Sequence, residues 1–164
     1  MESLQAPRAR DTILYGGLTA GFFDAWDATL FFGSRGAPPD RIAQHVASGL
    51  LGPASFSYGA ASIVAGVILH FCVALCIATT FYLFARKIPW LVQHPVVSGL
   101  GFGVLAYEVM DHVVVPLSRV ARPAHPAPFS WAVWTNSVVG HAVLIGLPIA
   151  LWAARSARKR PGSP

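Results

Sequence analysis

The chain has 164 residues, of which 54% are hydrophobic and 12% charged, against roughly a quarter charged in an ordinary soluble domain. With twelve Lys and Arg, seven Asp and Glu, 15 Gly and 13 Pro, it is too apolar for intrinsic disorder and too short for several domains. Two cysteines cannot staple a small secreted scaffold, so the composition points to one all-α membrane unit.

A membrane helix needs about 20 mainly apolar residues to cross hydrocarbon roughly 30 Å thick. Four stretches qualify, at about 12–33, 59–85, 95–117 and 129–154. They define a four-helix transmembrane bundle between a short tail (1–11) and a basic tail (155–164). The first stretch follows Arg8 and Arg10 as a signal peptide would. Asp24 and Asp27 interrupt it, however, and no small-residue cleavage site follows, so it reads as a retained helix.

Between the first two spans, DRIAQHVASGLLG at 40–52 places Ile42, Ala43, Val46, Ala47 and Leu50 on one arc and Arg41, Gln44, His45 and Ser48 on the other. This predicts an amphipathic helix on the outer surface, started by Pro38 and Pro39 and ended by Gly52. It reads as an ordinary interfacial helix or, alternatively, as a cover that buries Ile42, Val46 and Leu50 on the mouth of the bundle and turns Arg41, Gln44 and His45 to water or headgroups. In the second span His70 shares a face with Gly66 and Ala74, whereas Cys72 and Cys76 point the other way and read as small packing residues. The third connection, PLSRVARPAHPAP, has four prolines and should be extended and stiff. Pro148 should kink the fourth span by removing a backbone donor.

Orientation follows from Lys and Arg in the flanks, because cytoplasmic loops carry the excess. Arg8, Arg10, Arg86, Lys87, Arg155, Arg158, Lys159 and Arg160 lie on one side, and Arg35, Arg41, Arg119 and Arg122 on the other. Both termini should be cytoplasmic, in a bacterial inner membrane. The basic residues then anchor to the inner leaflet, and nucleic acid is not expected as a partner.

Charged side chains cost at least about 2.5 kcal/mol each in hydrocarbon, so they face a bundle interior or a wet cavity. This chain carries Asp24 and Asp27 in span 1, His70 in span 2, Glu108, Asp111 and His112 in span 3, and Asn136 and His141 in span 4. Counting helical rise places Asp24, His70 and His141 near the midplane and the others in the outer half. Asn136 and His141 differ by roughly 140° in phase, which favours His141 as the one that enters the cavity. Gly17 with Gly21 and Gly99 with Gly103 form small faces that could pack the monomer or a homodimer.

Three uses of this polar zone stand side by side. In the first, the groups form a hydrogen-bonded network that sets helix register in a structural or accessory subunit of a larger membrane complex. In the second, Asp24 or Glu108 binds and releases a proton and a histidine relays it, giving proton-linked transport or sensing. In the third, Glu108, Asp111 and His112 ligate a metal ion, or His70 and His141 clasp a haem. No GxSxG, HExxH or P-loop pattern is present, which argues against a soluble-type hydrolase.

Four segments carry a resemblance: QHVASGLLG (44–52), LHF (69–71), VVVPLS (113–118) and GHAVLIGLPIA (140–150). Together they resemble a family of uncharacterised four-span bacterial inner-membrane proteins, distantly similar to YagU-type proteins. The resemblance implies that Asp24, His70 and His141 match polar positions of that pattern, while Asp111 and His112 depart from it. It implies no activity.

Overall fold

The computed structural model describes residues 5–120 and 128–158. Arg122, most of the proline-rich third connection, Lys159 and Arg160 lie outside those residues. Among the described residues every regular element is helical. A π-helical run, Arg10–Gly16, leads into α1 (Gly17–Gly33). There follow α2 (Pro39–Leu51), α3 (Ala60–Ala85), the short α4 (Trp90–Gln93), α5 (Pro95–Leu117) and α6 (Trp131–Ala157). Three of these, α3, α5 and α6, are long and apolar enough to cross a membrane. Asp24 and Asp27 dilute the apolarity of α1.

The chain's own punctuation sets these ends. Pro38 is extended (ψ 149°) and Pro39 occupies the first turn of α2, where a missing N–H costs nothing. Gly52 and Gly59 have φ of 67° and 56°, a conformation that side chains resist. They end α2 and start α3. Within α5 and α6 the π-helical turns Met110–Val114 and His141–Gly146 each stand just upstream of a proline, Pro116 and Pro148. A proline ring clashes with the carbonyl four residues back and supplies no N–H, and a widened turn relieves both. The kink expected at Pro148 takes this form.

Small residues make the closest helix contacts. A Cβ at Gly17 would lie 3.0 Å from Leu75, and one at Gly21 would lie 2.9 Å from Phe71, so this face seats α1 on α3. Gly99 and Gly103 of α5 meet Gly146, Leu147 and Ala142 of α6 backbone to backbone. Both small faces are therefore used within the monomer. The buried core is mostly alanine, with Phe81 and Ile149 as its largest apolar members, and Phe102 meets Phe81 edge to face at 5.0 Å.

The two ends of the described residues are tied together. The Gln5 N–H donates to the Ala157 carbonyl (2.9 Å), and the Arg8 N–H donates to Ser156 Oγ (3.0 Å). The segment expected as a free C-terminal tail from residue 155 is still helical as far as Ala157. At the same end Tyr15 and Trp152 pack at 5.3 Å between Arg10 and Arg155, the composition of an interfacial belt.

Two expectations about faces are corrected. Gln44, Ala47 and Ser48 of α2 are buried while Leu50 is 63% exposed, so α2 turns its small and polar side inward. It crosses α3 at Gly66, whose missing side chain leaves room for the Ala43 carbonyl. Gln44 Nε2 donates to Ser62 Oγ (3.2 Å) and to the Gly59 carbonyl (3.4 Å). Ile42 and Val46 are only half-buried. Cys72 and Cys76 are exposed on the outer side of α3 and pack nothing within the core. In lipid an outward apolar side chain loses nothing, so contact faces select for size and hydrogen bonding.

Candidate functional site

The polar residues of α1 are the hub. Because Gly21 lets α3 approach, His70 reaches the α1 backbone, and its Nε2 lies 2.8 Å from the Gly21 carbonyl oxygen. A carbonyl only accepts, so Nε2 carries a proton. The other ring nitrogen, Nδ1, faces Asp24 Oδ2 at 4.0 Å, with both side chains about four-fifths buried (20% and 24% exposed). That separation is too long for a direct hydrogen bond. With Nε2–H committed, Nδ1 is the atom of His70 left to take up or release a proton, opposite a carboxylate.

His141 stands in the π-helical turn of α6 that packs against α1. Its Nδ1–H donates to the Ser137 carbonyl (2.9 Å), and its ring meets Tyr107 edge to face at 5.5 Å. One turn along α1 from Asp24, Asp27 Oδ2 accepts from Asn136 Nδ2 at 2.8 Å. Asn136 therefore reaches a carboxylate of α1, although helical phase favoured His141, whose ring pairs with Ser137 and Tyr107 instead. Sequence reasoning also missed Thr19, whose hydroxyl accepts from Trp152 Nε1 at 3.3 Å.

Glu108, Asp111 and His112 lie together elsewhere, on the exposed side of α5. His112 Nδ1 is 3.2 Å from Glu108 Oε2 and 3.9 Å from Asp111 Oδ2, at the start of the π-helical turn. Among the described residues no group of three or more His, Cys, Asp or Glu side chains is arranged to hold a metal ion. His70 spends Nε2 on the Gly21 carbonyl and His141 spends Nδ1 on the Ser137 carbonyl, so each ring has only one nitrogen left that a haem iron could take.

Two recesses open beside α1. One, of about 430 Å³, has Asp24, Thr29 and His70 on its walls and Asp40, Ile42 and Val46 of α2 over it. Here α2 lines the same recess as the Asp24–His70 pair. The second, of about 670 Å³, lies between α1 and α6 and contains Asp27 and Asn136. No family model, curated protein or solved structure matches the chain.

Proposed function

We propose that the protein is a four-span protein of the bacterial inner membrane with both termini in the cytoplasm, acting as a structural or accessory subunit whose buried polar groups hold α1 in the bundle. The tie between Gln5 and Ala157 carries this reading. Residues 5 and 157, being hydrogen-bonded, belong on one side of a bilayer, which supports an even number of crossings. Three helices are apolar enough to cross, and α1 is the fourth in this reading. Its polar groups then have uses: the Asp27 carboxylate holds Asn136, the Thr19 hydroxyl holds Trp152, and the Gly21 backbone carbonyl receives His70. Such bonds average about 0.6 kcal/mol within membranes, enough in sum to set the register of a helix that hydropathy alone would place weakly. Reporter fusions after Arg158 and at Lys87 should read as cytoplasmic, and fusions at Gly36 as periplasmic. Opposite readings at the two cytoplasmic sites would refute the topology.

A second reading, proton-linked transport or sensing, is favoured by the uncommitted Nδ1 of His70 facing Asp24 beneath α2. Asp40 at the mouth of that recess and Thr29 along it offer polar steps inward from the outer surface. Infrared difference spectra between acid and alkaline pH should show a carboxyl band that is absent in Asp24→Asn and shifted in His70→Gln. Identical spectra for wild type and Asp24→Asn would end this reading.

A further inference from the structure

We propose that the recess between α1 and α6 is a binding site for a hydrophobic amine, with Asp27 as the anchor for its ammonium group. This goes beyond both readings above: it uses a different recess from the Asp24–His70 pair, and it gives Asp27, which the first reading ties to Asn136, a ligand for its other oxygen. The volume, about 670 Å³, falls within the range of small-molecule sites. Val139, Val143 and Leu144 supply apolar wall, and Trp131 stands at the rim.

The polar content is small and directed. Asn136 Nδ2 donates to Asp27 Oδ2, which orients the carboxylate and leaves its second oxygen for a ligand. Among the described residues no Lys, Arg or His forms an ion pair with Asp27. Arg35, two turns further along the chain, is already engaged. Its guanidinium stacks on Phe31, 3.6 Å from the ring centroid, and Nη1 donates to the Phe31 carbonyl at 3.0 Å. A carboxylate in a mostly apolar recess, with the Asn136 amide and the Thr135 hydroxyl beside it and no counter-ion, fits a ligand that brings its own positive charge and an apolar body.

Competing occupants fit less well. An acyl chain has no use for Asp27, an anion is repelled by it, and one carboxylate with one amide and one hydroxyl is too few ligands for a divalent cation. Around the mouth, Trp131 lies 5.1 Å from Phe129 and 5.8 Å from Trp134. Such an aromatic rim attracts cations and tolerates the edge of lipid. The ammonium could belong to a free amine or to an ethanolamine lipid headgroup.

The test is equilibrium dialysis of radiolabelled phenethylammonium against the full chain in nanodiscs of a neutral glycolipid, with phenethyl alcohol as the uncharged isostere. Wild type should bind the cation saturably and the alcohol at least about tenfold more weakly, since a hydrogen bond to a charged group is at stake. Asp27→Asn keeps an acceptor for Asn136 but removes the charge, so it should lose about tenfold in affinity while its thermal midpoint stays near that of wild type. Val143→Trp fills the wall without touching Asp27 and should also lose binding. Weaker binding in phosphatidylethanolamine discs would identify the lipid headgroup as the natural source, and unchanged binding a free amine. Equal binding of cation and alcohol, wild-type affinity in Asp27→Asn, or no saturable binding by wild type would each overturn the assignment.

Discussion

Gly101 and Gly103 stand two residues apart on α5 and should respond to the same substitution with opposite signs. A Cβ at Gly101 meets nothing within 4 Å. Gly101→Ala should then gain the helix preference of alanine, about 0.5–1 kcal/mol. At Gly103 the added carbon would lie 2.5 Å from the Ala142 Cα and would overlap the His141 carbonyl. Both obstacles are backbone, so no side-chain rotation relieves them, and α5 must move away from α6. Overpacking of this kind costs about 1–3 kcal/mol, and the separation also weakens contacts at Gly99 and Gly146. After subtracting the helix preference, a net loss of about 1–2 kcal/mol is expected. Equilibrium unfolding in mixed micelles, followed by tryptophan fluorescence, reads both variants against wild type. Equal shifts, or a Gly103→Ala variant as stable as wild type, would show that the α5–α6 crossing is looser than the backbone contacts require.

Three further outcomes follow from the packing. Asp27→Leu leaves the Asn136 amide without its acceptor and should cost about 1 kcal/mol, whereas Asp27→Asn should cost little in the same assay; similar losses in both would mean that the charge itself stabilises the fold. With Cys72 and Cys76 replaced by alanine, a cysteine at Ala28, beneath α2, should react slowly with a membrane-impermeant thiol reagent and faster after Gly66→Leu displaces α2; equal rates would show that α2 covers nothing. The native Cys72 and Cys76, exposed on α3, should react with a lipid-soluble maleimide and resist an impermeant one, and rapid aqueous labelling would remove that face from the bilayer.

Much of the helix layout was legible in the residues. Runs of apolar side chains marked α3, α5 and α6 within a few residues because hydrocarbon thickness sets a minimum length. Prolines and glycines marked α2, since Pro39 and Gly52 act through backbone conformation, which is local. Asp24, Asp27, His70 and His141 stood out because charge in hydrocarbon is costly wherever the helix points. Only the tertiary structure decided which faces meet. The amphipathic arc of α2 suggested that Leu50 would turn inward, but Gln44 and Ser48 are buried instead, because Gly66 and Ser62 of α3 offer close approach and a hydrogen bond. Leu50 gives up nothing by facing out. Likewise Asn136 found Asp27 through the crossing of two helices, a relation that phase along one helix does not contain. In water, hydropathy separates inside from outside; in lipid both are apolar, and size, shape and hydrogen-bond partners across the chain make that choice.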